Sequence, residues 1–151
     1  MRVVVQRVSS ASVTIEESLK SSIQKGLLIL AGFESADTDE DLDWTCKKIT
    51  HLRIFDDDKG VMNLSVKDID GEILAVSQFT LHAKTKKGNR PSYIQAAPPE
   101  ISIPLYLQFV HKLTEIMGKE IQTGEFGAHM LVNLINDGPV TIIIDSKNKD
   151  I

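Results

Sequence analysis

The sequence predicts an α+β fold: one β-rich domain with curved, barrel-like antiparallel sheets and two main helices. Three observations predict it. Short apolar and β-branched runs recur along nearly the whole chain, punctuated by Gly, Pro, Asn and Asp. Only two stretches, Asp37–His51 and Ile103–Met117, carry helical periodicity. A length of 151 residues with 42% apolar and 25% charged content suits a single globular domain with a real core.

Val3–Val8 reads as a first strand, followed by short strands at Ala11–Ile15 and Ser21–Gln24 around the polar Glu16-Glu17-Ser18. Gly26–Phe33 is a continuous apolar run with glycines near both ends, the pattern of a buried strand. In the first helix Leu42, Cys46 and Ile49 form the inner stripe at i, i+4, i+7, and Thr38 is a candidate N-cap. Cys46 is most simply a small core residue. Arg53-Ile54-Phe55 and Val61–Leu64 flank Asp57-Asp58-Lys59-Gly60 as a hairpin. Glu72–Thr80 is a further strand and Lys84–Ser92 a polar loop.

Pro98-Pro99 blocks regular structure ahead of the second helix, where Pro104 falls in the first turn. Leu107, Val110, Leu113 and Met117 give its apolar face, and Gly118 ends it. Ile121–Thr123, Met130–Ile135 and Val140–Asp145 complete the strands. Residues 1–146 form the domain and 147–151 a frayed C-terminal tail.

The single cysteine excludes an internal disulfide, and no apolar run reaches the ~20 residues of a membrane span. The N-terminus, with Arg2 and Arg7 around a strand-like run, is not a signal peptide. A cytoplasmic protein without membrane contact is expected. The net charge of −4 argues against a generic nucleic-acid binder. Charge is segregated, however. Acids dominate between Glu34 and Asp70, whereas His82–Arg90 holds Lys84, Lys86, Lys87 and Arg90 and no acid. Such a run is a solvated loop or a phosphate contact.

There is no Gly-x-Ser-x-Gly elbow, phosphate-binding glycine loop or Cys-x-x-Cys, and the four histidines lack metal-ligand spacing, so no metal or cofactor is expected. Two motifs carry more. Ser77-Gln78-Phe79-Thr80-Leu81 ends a strand, with Gln78 and Thr80 on one face if the strand continues. Asn136-Asp137-Gly138-Pro139-Val140-Thr141 lies between two β-branched runs. It reads either as a hairpin turn or as stiff main chain offered to a ligand, since glycine admits close approach and proline fixes φ.

Together, and with Met1–Val8, Gly88–Tyr93 and Thr123–Met130, these motifs resemble the D-aminoacyl-tRNA deacylase family along nearly the whole chain. A related animal-type deacylase carries proline and alanine where this sequence has Ser77 and Phe79, so the chirality-checking branch is the better match. The resemblance implies hydrolysis of D-aminoacyl-tRNA, with glycyl-tRNA a further possible substrate, by a homodimer that needs no cofactor and acts on RNA, not DNA. It implies catalytic roles for Ser77, Gln78, Phe79 and Thr80, with main-chain N–H groups of Gln78, Phe79 and Thr80 as oxyanion donors and the tRNA 2′-hydroxyl in place of a protein base. It implies substrate contacts by Gly138, Pro139, Met130, Ala128 and Asn136, with Gly138-Pro139 a cis pair that enters the partner subunit's site and excludes L side chains. Lys84, Lys86, Lys87 and Arg90 are the expected RNA contacts. Two rivals stand beside this reading: a non-catalytic dimeric RNA- or protein-binding module, and a hydrolase in which Thr80 is the nucleophile and His82, on the same strand face, its base.

Overall fold

The computed structural model describes residues 1–151 and is α+β, with two helices against a strongly curved sheet. The spine is β1 (Arg2–Ile15), a single strand rather than the two expected, because Ser9-Ser10 contains no breaker: the register shifts at Ser9 and pairing resumes at Ser10 opposite Ile135. One edge of β1 pairs β3 (Gly26–Gly32) near its start and β2 (Ser18–Ile23) near its end; the other edge pairs β8 (Leu131–Asp145) along its length. These pairings are antiparallel. Beyond β3 the sheet continues in parallel through β6 (Glu72–Ser77) to β7 (Gln122–Thr123). Parallel neighbours need crossovers. The first contains α1 (Asp39–His51) and the small hairpin β4–β5 (Phe55–Asp56, Met62–Leu64); the second contains α2 (Pro99–Met117). Curling brings β2 round to β7, where the Ser21 hydroxyl donates to the Thr123 carbonyl at 2.7 Å.

The curl makes two cores. Inside it, Val8, Val13, Ile23, Leu28, Leu74 and Val76 form a small apolar cluster. The outer face, with Val3, Val5, Leu27, Ile29 and Ile73, is covered by the helices. From α1 come Leu42, Cys46 and Ile49, all fully buried as the stripe predicts. Burial pushes the Cys46 thiol up to about 12, which keeps it neutral and unreactive. Thr38 caps α1 reciprocally with Asp41.

In α2 the inward residues are Tyr106, Phe109 and Leu113, whereas Leu107, expected inside, is 61% exposed. Leu113 is inward as expected and Val110 and Met117 pack on the edge of the core, so apolarity misplaced only Leu107, whose role Tyr106 and Phe109 take. The helix also starts four residues early, because Pro99 occupies its first turn, where a missing N–H costs nothing. Pro104 therefore lies a turn further in. Gly118 ends α2 in the left-handed region, φ 67°, and its N–H returns to the Thr114 carbonyl at 2.9 Å. The tail expected to fray is tied down: Lys147 bonds Asp41 at 2.6 Å, and Lys149 lies over the Trp44 ring. Burial opposes the Asp41 charge, but bonds from Lys147 and Thr38 hold its carboxyl well below the ordinary range. Neither helix is long and apolar enough to cross a membrane.

Candidate active site

The strand expected to run to Thr80 stops at Ser77. The Gln78 N–H still donates to the Ala31 carbonyl of β3 at 2.7 Å. The chain then turns into a 310 segment, Phe79–His82, closed by Leu81 N–H to the Gln78 carbonyl and Ala83 N–H to the Thr80 carbonyl. The alternation of faces predicted for Ser77–Leu81 ends with the strand. Of the three expected main-chain donors, Gln78 is already used. Phe79 and Thr80 open the turn, so their N–H groups have no acceptor within it. The turn is held from outside by Arg2, whose Nη1 donates to the Leu81 carbonyl at 2.9 Å while its Nε donates to Asp145.

Thr80 Oγ1 accepts from the Gln78 side-chain amide at 3.0 Å. His82 does not share a face with Thr80. It is 5% exposed, its Nδ1 stands 4.0 Å from Glu34, and its Nε2 has no partner. The Thr80–His82 pairing has no geometric basis here.

A cleft of about 300 Å³ opens beside the turn, walled by Phe79, Tyr93, Phe126, Pro99 and Ser102. A recess of about 30 Å³ beneath it reaches Ser77 and Gln78. Phe79, 56% exposed, meets Tyr93 edge to face with centroids 5.0 Å apart. The back wall is fixed by Tyr106, whose hydroxyl donates to the Ala75 carbonyl at 2.9 Å; burial pushes that phenol up to about 12. No carboxylate, histidine or cysteine lines the cleft. Nowhere do three metal-ligating side chains gather.

Ala128 and Met130 lie on the segment between Phe126 and β8. Ala128 N–H closes a turn onto the Glu125 carbonyl, and Met130 packs on the inner cluster. Lys84, Lys86, Lys87 and Arg90 are all exposed and free of ion pairs, in a loop pinched shut where Lys84 and Ser92 exchange main-chain bonds at 2.8 and 3.0 Å.

The second motif is neither a hairpin nor a strand end. β8 pairs β1 on both sides of it, Asn136 opposite Val8 and Thr141 opposite Gln6, while residues 137–140 bulge outward. The bulge is stapled by Asn136, whose amide oxygen accepts from Val140 N–H at 2.8 Å and whose Nδ2 donates to the Val140 carbonyl at 3.1 Å. Arg7, 8% exposed, braces it: Nε donates to the Asp137 carbonyl at 2.7 Å and Nη1 to the Ile54 carbonyl at 2.6 Å. The sequence reading missed Arg7. Its only signal was an arginine at an inward position of a strand, Arg7 standing between Gln6 and Val8. The Gly138–Pro139 bond is cis, and both residues are exposed. A Cβ at Gly138 would lie 2.6 Å from the Val140 nitrogen, so only glycine fits.

Within one chain the two motifs do not meet. The order β8-β1-β3-β6 puts two strands between them, about 14 Å along the sheet. The free edge of β8 carries Leu131, Ile135 and Ile143, each more than half exposed.

Residues 4–145 match the family model of D-Tyr-tRNA(Tyr) deacylase. D-aminoacyl-tRNA deacylases of Bacteroides fragilis and Flavobacterium psychrophilum are 67% and 66% identical over 150 residues, 99% of this chain and 100% of each relative. Among solved structures, a c-Myc DNA unwinding element binding protein superposes with a TM-score of 0.91 at 41% identity, covering 96% of this chain and 98% of the other. A protein described as a probable eukaryotic D-amino acid tRNA deacylase gives 0.83 at 19% identity over 95% and 97%, a likeness of fold. The chain belongs to the D-Tyr-tRNA(Tyr) deacylase family and is a hydrolase.

Proposed function

We propose that the protein frees D-amino acids, and glycine, from tRNA in the cytoplasm by cleaving the ester to the 3′-terminal ribose. The observation that carries the mechanism is a cleft with unused main-chain donors and no protein acid or base. Phe79 and Thr80 N–H groups receive the oxyanion as water adds to the ester carbonyl, and the neighbouring 2′-hydroxyl does the work a side-chain base would do. Gln78 orients Thr80, and Ser77 lines the recess. Lys84, Lys86, Lys87 and Arg90 take phosphates near the 3′ end.

Specificity comes from a second copy of the chain. The Gly138-Pro139 bulge is stiff, exposed and remote from its own cleft, on an edge strand with apolar residues uncovered. A two-fold dimer through that edge places each bulge over the partner's cleft, with Asn136 shaping it and Ala128 and Met130 beside it. Main chain then stands where an L side chain would project, while the hydrogen of a D centre or of glycine fits.

The second reading, a binding module without catalysis, is supported by the solved relative named for DNA binding. Matched D- and L-aminoacyl-tRNAs separate the two. Rapid release of labelled D-amino acid and sparing of the L form is expected. Equal rates would remove the chirality mechanism, and no release from either would favour the module.

A further inference from the structure

The outward face of α1 carries Trp44, Lys47, Lys48 and His51 at i, i+3, i+4 and i+7, one stripe of the helix. Arg53 follows, and Lys149 folds over from the C-terminal segment. Lys149 Nζ stands 4.7 Å from the Trp44 ring centre and Lys48 Nζ 5.6 Å. Trp44, Lys47, Lys48 and Arg53 line a depression of about 450 Å³. Four of the seventeen basic residues thus gather around the only tryptophan of an acidic chain.

A cationic helix face is usually just solvated. Here none of Lys47, Lys48, Arg53 or Lys149 has a carboxylate within ion-pair distance. The acids nearby are engaged elsewhere: Asp43 with Lys112 at 2.6 Å, Asp145 with Arg2 at 2.8 Å, and Asp68 with the Ser65 N–H at 2.8 Å. Glu40, one turn before Trp44, bounds the patch on its acidic side. Arg53 is held by Asn63, its Nε donating to the Asn63 carbonyl at 3.0 Å, which leaves Lys47, Lys48 and Lys149 as the unpaired cations around the half-buried Trp44 ring, an arrangement that fits a polyanion with stackable bases.

The patch is also next to the bulge. Arg53 adjoins Ile54, whose carbonyl receives Arg7 Nη1, and Arg7 Nε in turn holds Asp137 beside Gly138. We propose that this face of α1, centred on Trp44, is a second RNA-binding surface, holding the body of the aminoacyl-tRNA by its phosphates. This rests on the tRNA-deacylase reading above. Under it, an RNA whose 3′ end lies against the bulge continues across α1, away from the Lys84–Arg90 loop.

The test pairs binding with fluorescence, because all tryptophan emission comes from Trp44. Uncharged tRNA should change that emission saturably. The triple variant Lys47→Gln, Lys48→Gln, Lys149→Gln should bind tRNA about tenfold or more weakly at low salt and lower the slope of log K against log salt by about two to three. The same neutralisation at Lys20, Lys25 and Lys59 should do much less. Hydrolysis of a short 3′-terminal aminoacyl-nucleotide by the triple variant should match the unmodified protein, which reports the deacylase reading separately. Unchanged emission with an unchanged slope would overturn the proposal. So would emission that follows protein concentration and ignores RNA, which would assign the face to a second copy of the chain.

Discussion

Between Ser77 and His82 the chain leaves its sheet and does not return; between Asn136 and Thr141 it leaves and rejoins the same neighbour. The first departure ends pairing and so frees main-chain donors at Phe79 and Thr80. The second keeps register on both sides, so a few residues are pushed out as a rigid knob. Their supports differ as well. The 310 turn is held at its far end by Arg2, with Phe79 exposed and Thr80 half-buried. The bulge is bonded across its base by Asn136 and braced from below by Arg7. One region leaves main-chain donors open, the other holds a compact knob of main chain in place. In the proposed function the first serves the chemistry and the second the stereochemical selection.

The largest effect should come from Phe79→Pro. Gln78 is extended (φ −148°, ψ 93°) and so lies outside the α region that a following proline disfavours, and proline is tolerated at the first position of a turn. The exchange removes one donor and an exposed ring while leaving the backbone path intact. Deacylation should fall about 100- to 1,000-fold, the usual loss for one oxyanion donor, with little change in thermal midpoint. Near-normal turnover would show that the turn does not stabilise the transition state.

Arg7→Ala should act on stability instead. It strips charged donors from the Asp137 and Ile54 carbonyls and should cost about 3 kcal/mol in urea unfolding. Lysine should restore little, since it cannot reach both carbonyls with one rigid fork. A loss below about 1 kcal/mol would mean that the bulge is self-supporting through Asn136.

Thr80→Ala is the mild case. The hydroxyl accepts one amide bond and faces no base, so activity should stay within about tenfold. A substrate ending in 2′-deoxyadenosine should be hydrolysed very slowly by both proteins. A dead Thr80→Ala with a normal deoxy substrate would return the chemistry to the protein.

What was legible in the sequence was what is local. The α1 stripe of Leu42, Cys46 and Ile49 and the Thr38 cap follow from spacing and side-chain chemistry alone. The end of β6 does not, because nothing in Ser77–Leu81 breaks a strand; the parallel pairing with β3 simply runs out. Asn136–Thr141 reads as a break for the opposite reason. Gly-Pro does interrupt the ladder, but β1 spans the gap, and the brace comes from Arg7, 130 residues away. Pairing of distant residues has no periodicity to read. The motifs themselves were visible, whereas their separation by β1 and β3, from which the proposed two-subunit site is argued, required the sheet order.

Mixing two damaged proteins tests the proposed shared site most directly. Gly138→Ala spoils the bulge, since its Cβ would collide with Val140, and leaves the cleft intact; Phe79→Pro does the reverse. Each alone should be nearly inactive on D-aminoacyl-tRNA, Gly138→Ala because the bulge displaced by its Cβ crowds the partner's cleft. After co-refolding, half of the dimers carry both variants, and one of their two sites combines a sound cleft with the partner's sound bulge. Activity should recover to about a quarter of the unmodified level. No recovery, in a sample shown to contain mixed dimers, would contradict a site shared between subunits.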